Sequence, residues 1–328
     1  MINTILGGGE YLELAKKLIR EGEVVAFPTE TVYGLGADAF NATAIAQVYR
    51  IKGRPNDNPF IVHIGAKDDL ESVAKNIPNV AYELMDMFFP GPLTLVLKKK
   101  ATLPDITTAN LNTVGVRMPN HPLALEFIRA CKCPIAAPSA NMSKHISATS
   151  AMHVMTDLGG KIPLILDGGK SNIGIESTVV SLVENIPFIL RPGAITRDEL
   201  MQVLPDVQIK LSKVDKPASP GMKYAHYMPS CPTVCVCSQD VAKRIYSENI
   251  DKSPVIIASD HFLKECSERN TISLGETERS AMQLLFSSLR TAEMEFKYII
   301  LEYFPKTTRY EGINNRIEKA SSGIIITN

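Results

Sequence analysis

Short apolar runs that alternate with amphipathic stretches constrain this chain more than any other feature of its sequence. Between Glu10 and Glu21, Leu12, Ala15, Leu18 and Ile19 fall on one helical face, and Gly22 follows as a stop. Val24–Phe27 then reads as a buried strand, Pro28 to Gly36 as an irregular turn, and Ala42 to Ile51 as a helix with Ile45, Val48 and Ile51 aligned. Further strands are expected near Phe60–Ile64, Thr94–Leu97, Val114–Arg117, Ile135–Ala137 and Leu164–Leu166, with a helix over Pro122–Cys131. This alternation specifies an α/β layer fold. From Ser177 to Leu190 two β-rich segments joined by Glu184-Asn185-Ile186-Pro187 read as a hairpin, so the expected sheet is twisted and mixed, parallel and antiparallel.

The pattern lapses once, over Lys213-Val214-Asp215-Lys216-Pro217-Ala218-Ser219-Pro220-Gly221, where proline, glycine and charge interrupt any regular element. A chain of 328 residues exceeds one hydrophobic core, so this lapse is read as a boundary. The expected organisation is a larger domain over 1–210, a linker over 211–232 and a smaller, Rossmann-like α/β domain over 233–328. The last contains strand patterns at Thr233–Cys237, Pro254–Ala258, Thr271–Leu274 and Tyr298–Leu301, with helices near Gln239–Glu248, Glu278–Glu293 and Asn314–Ala320.

Charge narrows the function. The 35 basic and 35 acidic residues cancel, and only 6% of residues are aromatic, which disfavours backbone tracking or base stacking as the main work. No stable nucleic-acid binding is expected, although a small anion needs only a local cluster of cations. No apolar run is long enough to span a membrane and no basic-then-apolar leader opens the chain, so no membrane association and a cytoplasmic location are expected. Six cysteines contain no Cys-x-x-Cys pair and are read as free thiols, with no metal site.

Several segments place polar groups directly after buried strands, where ligands bind in α/β sheets. Pro28-Thr29-Glu30-Thr31-Val32-Tyr33-Gly34-Leu35-Gly36 is one, equally readable as a tight loop whose threonines cap the backbone. Its glycines fit the dinucleotide fingerprint loosely, but the helix starts too late for the strand–turn–helix that a pyrophosphate requires. Lys52-Gly53-Arg54 sets two cations at a helix end. That suits the helix dipole alone, and equally a set of phosphate oxygens approached across the glycine. Ala137-Pro138-Ser139-Ala140-Asn141 offers hydroxyl and amide groups. Gly169-Lys170-Ser171 resembles the end of a P-loop but lacks its first glycine and its helix. Lys98-Lys99-Lys100 is read as a solvated strand end. By itself His63, on an apolar strand, reads as a core histidine. No nucleophilic triad spacing is legible.

Taken together, these segments resemble the YrdC-type threonylcarbamoyl-AMP synthases in their long form. The resemblance rests on Pro28-Thr-Glu-Thr-Val-Tyr-Gly-Leu35, Lys52-Gly-Arg-Pro55, Asn58-Pro-Phe60, Pro90-Gly-Pro-Leu-Thr94, Val116-Arg-Met-Pro119, Ala137-Pro-Ser-Ala-Asn141, Glu176-Ser-Thr178 and Arg191-Pro-Gly193, in that order. Ser219-Pro-Gly-Met-Lys-Tyr-Ala-His-Tyr227 and Asn315-Arg-Ile-Glu-Lys-Ala320 resemble the long form in particular. Ala225 departs from it, since relatives often carry a basic residue there.

The resemblance implies a synthase that joins L-threonine, bicarbonate or CO₂ and ATP into threonylcarbamoyl-AMP and pyrophosphate. It implies that the product goes to a downstream transferase that modifies tRNA. A threonine pocket of Thr31, His63, Arg117, Ala137 and Ser177 is implied, together with an ATP site of Lys52, Arg54, Asn58, Thr113, Ser139, Ser147, Arg191 and Tyr227. Lys52 and Arg54 are the implied catalytic cations, Mg²⁺ is expected with ATP, and the linker is expected to act as a lid. Two rivals are a carbamoyl transferase of hydrogenase maturation, which is longer and carries Cys-x-x-Cys modules, and a nucleic-acid-binding module of the same fold.

Overall fold

A computed structural model of the chain describes residues 2–210, 227–266 and 269–327. These divide into two units, one holding 2–143, 148–172 and 176–210, the other 144–147, 173–175 and the described residues from 227 onward. Most of the expected linker, with Ala225, lies outside the described residues, as does any lid action of it.

The first unit is built on a twelve-stranded mixed sheet. In chain order its strands are β1 (Ile5–Gly7), β2 (Val25–Phe27), β3 (Gly34–Asp38), β4 (Ile61–His63), β5 (Ala74–Lys75), β6 (Leu93–Lys99), β7 (Thr113–Arg117), β8 (Ile135–Ala137), β9 (Leu164–Leu166), β10 (Thr178–Ser181), β11 (Phe188–Arg191) and β12 (Gln208–Ile209). In space they run β1-β9-β2-β3-β8-β4-β7-β6-β10-β11-β12, with β5 paired to β6. The β10–β11 pair is antiparallel, as the hairpin reading expects.

Two readings change. Residues 34–38 form a strand and not an irregular turn, pairing antiparallel with β2 so that Val25 lies opposite Gly36 and Phe27 opposite Gly34. The glycines of this strand make room for a ring: a Cβ on Gly36 would sit 2.7 Å from Ile135 Cγ2 and 2.9 Å from Phe27 Cε1. Close packing, and not approach to a pyrophosphate, explains the glycine spacing. The lysine run is not a solvated edge either. β6 lies between β7 and β10, and Lys99 is buried and ion-paired with Asp105. Only Lys98 of the three is exposed.

Helices cover the two faces unequally. On one face Ala44, Ile45 and Val48 of α2 (Ala42–Lys52), Leu70 and Val73 of α3 (Leu70–Val73), and Ala81, Leu84 and Met85 of α4 (Asn79–Phe88) share a core with Val62, Leu95, Val114, Val116 and Ala136. On the other, α1 (Leu12–Arg20) and α5 (Pro122–Cys131) pack through Ala15, Ile19, Ala124, Phe127 and Ile128 against Phe27, Ile135, Ala137, Leu164 and Leu166. That cluster ends at β8. Beyond it, on β4, β7 and β6, the same-face positions are Ile61 and His63, then Thr113, Gly115 and Arg117, then Thr94, Val96 and Lys98, because strand side chains alternate. Polar and charged groups thus enter this face, interleaved with Ile61 and Val96, where its helical cover stops.

The second unit carries a five-stranded parallel sheet of β13 (Thr233–Val236), β14 (Pro254–Ala258), β15 (Thr271–Ser273), β16 (Tyr298–Glu302) and β17 (Ile325–Ile326), in the order β15-β14-β16-β13-β17. Among the described residues no helix is long and apolar enough to cross a membrane.

The packing at Gly36 makes a prediction. Gly36→Ala is expected to cost about 1–3 kcal/mol through overpacking against the Phe27 ring, measured as a lowered urea midpoint. A midpoint equal to the parent's would contradict the close packing.

Candidate active site

The loop between β2 and β3 is shaped by Thr29. Its hydroxyl donates to the Val32 carbonyl at 2.6 Å and accepts from the Thr31 and Val32 amides, each at 3.2 Å. A hydroxyl that closes its own loop in this way is an ST turn. The turn fixes Glu30 and Thr31, both buried, against β7.

Arg117, the last residue of β7, gathers this end of the site. Its Nη1 donates to Thr31 Oγ1 at 2.8 Å and its Nε to the Gly91 carbonyl at 3.2 Å, while Nη2 lies 2.7 Å from Glu30 Oε1. The last contact lacks hydrogen-bond alignment and is an ion pair only. Thr94 Oγ1 and Ser177 Oγ share a hydrogen bond of 2.7 Å, and Arg191 donates to the Ser177 hydroxyl and carbonyl, each at 3.1 Å. Arg191 therefore stands with Ser177 on the Arg117 side of the sheet.

His63 is level with Arg117 across the parallel β4–β7 pair and 5.7 Å edge-on from the Phe27 ring. Burial, then the neighbouring Arg117 charge, pushes its pKa down from 6.5 to about 3. The imidazole is thus neutral at ordinary pH, and its Nδ1 has no hydrogen-bond partner among the described residues. A buried polar atom without a partner is costly in a fold, which marks a place for a ligand's polar group. Ala137, small and 4% exposed, faces the same side two strands from Arg117.

A second cationic group forms at the end of α2. The Asn41 side chain caps the helix start, and Gly53, at φ +60°, ends it in the left-handed conformation that glycine allows cheaply. This reversal turns both Lys52 and Arg54 inward. The Lys52 ammonium donates to the Ser139 and Asn141 carbonyls, and burial, with Arg54 nearby, holds its pKa well below the usual lysine range. Two of its three donors are thereby engaged. Arg54 donates to the Asn58 and Pro59 carbonyls, each at 3.1 Å, and lies over the Phe60 ring. The Asn58 Oδ1 is buried without a partner among the described residues.

Strand register relates the two groups. Continuing the β4 pairings past Ile61 brings Pro59 level with Thr113 on one side and Ser139 on the other. From there to His63 and Arg117 is four residues of strand, about 13 Å at roughly 3.3 Å each. Thr31, His63, Arg117, Ser177 and Arg191 thus occupy one end of a sheet face, Lys52, Arg54, Asn58, Thr113 and Ser139 the other, and Ala137, level with Ile61 and Gly115, lies between them. Ser147 and Tyr227 belong to the second unit. There Arg290 donates to the Ile146 and Ser147 carbonyls, and the buried Tyr227 ring packs 5.0 Å from that of Phe286. Sequence reasoning singled out neither Glu30 nor Thr94. The visible signals were a carboxylate in an otherwise uncharged loop, and a hydroxyl alternating with leucines on a buried strand.

The state of His63 is open to measurement. Below pH 6.5 the unfolded chain binds a proton that the folded site refuses, so this residue's contribution to stability is complete above 6.5 and declines as pH falls toward 3. His63→Gln is expected to lose less unfolding midpoint than the parent between pH 7 and pH 5. Parallel curves would contradict a buried, neutral His63.

Comparison with known proteins places these residues in a family. Residues 17–193 match the Sua5/YciO/YrdC family, described as "Telomere recombination", and residues 195–322 match the Sua5 C-terminal domain, described as "Threonylcarbamoyl-AMP synthase, C-terminal domain". The chain is 42% identical to the threonylcarbamoyl-AMP synthase of Bacillus subtilis, over 95% of this chain and 93% of the relative. It is also 42% identical to that of Pyrococcus abyssi, over 96% and 95%. The crystal structure of P. abyssi Sua5 complexed with L-threonine superposes with a TM-score of 0.92 at 39% identity, covering 100% of this chain and 99% of that one. By sequence and by fold, the chain belongs to the Sua5/YciO/YrdC family, in the form that carries the Sua5 C-terminal domain.

Proposed function

We propose that this chain makes threonylcarbamoyl-AMP and pyrophosphate from L-threonine, bicarbonate or CO₂, and ATP. The observation that carries the reading is one sheet face with Arg117 at one end of β7 and, level with Thr113 at its other end about 13 Å away by strand rise, the Ser139 and Pro59 carbonyls that hold Lys52 and Arg54. A guanidinium held on two edges is suited to an amino acid's carboxylate, and the orphaned His63 Nδ1 to its side-chain hydroxyl. The second group suits phosphate oxygens, with Arg54 and the remaining Lys52 donor offsetting their charge. Arg191, at the Arg117 end, is proposed to meet the nucleotide where its α-phosphate approaches the threonine pocket.

The chemistry asks for no covalent nucleophile. Threonine's α-ammonium gives up its proton to solvent, the free amine adds to CO₂ and loses a second proton as a carbamate forms, and the carbamate oxygen then attacks the ATP α-phosphorus while pyrophosphate leaves. Transfers of this kind depend on positioning and on offsetting developed charge. Among the described residues no three His, Cys, Asp or Glu side chains converge to hold a metal. Mg²⁺ is therefore proposed to arrive on the triphosphate, where it would neutralise phosphate oxygens, these being the hard ligands it prefers. The product is proposed to pass to a tRNA-modifying threonylcarbamoyl transferase in the cytoplasm.

The test is direct. Incubation with threonine, bicarbonate and ATP is expected to yield a threonylcarbamoyl-AMP mass that vanishes when threonine is omitted. Salt-sensitive RNA binding without that adduct would favour the nucleic-acid-binding rival. Arg54→Lys, which keeps the charge but loses the planar fork, is expected to slow pyrophosphate release by about tenfold or more. An unchanged rate would remove Arg54 from the site.

A further inference from the structure

Glu30 stands unexplained by the function so far. It is 3% exposed, and among the described residues it is ion-paired with Arg117, 4% exposed, at 2.7 Å. A buried ion pair gains net stability only when its remaining lone pairs and protons are hydrogen-bonded. Here neither Glu30 oxygen has a hydrogen-bond partner among the described residues, and neither does Arg117 Nη2. The other edges of the guanidinium are held by Gly91 and Thr31. The pair is therefore in ionic contact but without aligned hydrogen bonds, leaving acceptor capacity on Glu30 and a donor on Arg117 unused at one spot.

That condition selects a class of ligand. A simple carboxylate would find Arg117 already offset and be repelled by Glu30, while a simple amine would meet the opposite conflict with Arg117. A ligand bearing both charges on neighbouring atoms satisfies both partners at once. We propose that the Glu30–Arg117 pair is a receptor for the zwitterionic end of the amino acid, Arg117 taking the α-carboxylate and Glu30 the α-ammonium. The proposal rests on the threonine reading above and adds Glu30 to it as the residue that recognises the amine. The neutral His63 contributes no competing charge.

Calorimetric titration of the full chain with L-threonine and with 2,3-dihydroxybutanoate tests it, because the second ligand keeps the carboxylate and side-chain hydroxyl but replaces the amine by a hydroxyl. The parent is expected to bind threonine at least about tenfold more tightly, the scale of one charge-assisted contact. In Glu30→Gln, which preserves shape, that preference is expected to shrink to within about threefold, through weaker threonine binding and not stronger rejection of the hydroxy acid. Equal weakening of both ligands would make Glu30 a mere support for Arg117 and overturn the proposal, as would an undiminished preference. Circular dichroism checks the fold, and should Glu30→Gln not fold, Glu30→Met, neutral and of similar length, carries the same comparison with the same expected and contrary outcomes. A parent chain that binds neither ligand would overturn the threonine reading itself, and the proposal with it.

Discussion

The site depends on a buried guanidinium. Arg117 occupies the end of a central strand with its Nε and Nη1 already committed to the Gly91 carbonyl and the Thr31 hydroxyl. Those two contacts fix its plane, and the ST turn built by Thr29 fixes Thr31 in turn. Because Arg117 is anchored before any substrate arrives, little side-chain freedom remains to be lost on binding, which is the condition for tight recognition of a small ligand.

The fold supplies this anchor through uneven helical cover. Packing of α1 and α5 over β9, β2 and β8 buries Phe27, Ile135 and Ala137, and the apolar cluster ends there. Strands β4, β7 and β6 continue the sheet with His63, Thr94, Thr113 and Arg117 interleaved with Ile61 and Val96 on that face, and an apolar core on the other. Gly34 and Gly36 let the Phe27 ring lie flat at the border, which brings its edge to His63. His63 at the border and Arg117 are thus mounted on strands, while Lys52 is carried on the last turn of α2.

Much of this was legible in the sequence. The helix over Pro122–Cys131 and the strands at Ile135–Ala137 and Leu164–Leu166 have the bounds that periodicity assigned. The cation pair around Gly53 was visible because a glycine between two cations at a helix end has a definite geometry. The strand at Gly34–Asp38 was not, since glycine weakens every local β signal and only the distant Phe27 ring and Ile135 explain its presence. Lys99 misled for a related reason: its pairing with Ala74 of β5 and its ion pair with Asp105 leave no trace in the lysine run itself. Glu30 and Thr94 act through cross-strand and cross-loop partners, which residue spacing does not encode.

Binding of L-threonine compared with L-threoninol, which lacks the carboxylate and retains the amine and hydroxyl, tests the role of Arg117 most directly. The account predicts that threoninol binds at least about tenfold more weakly, since the anchored guanidinium no longer meets the ligand's carboxylate. Equal affinities would contradict it.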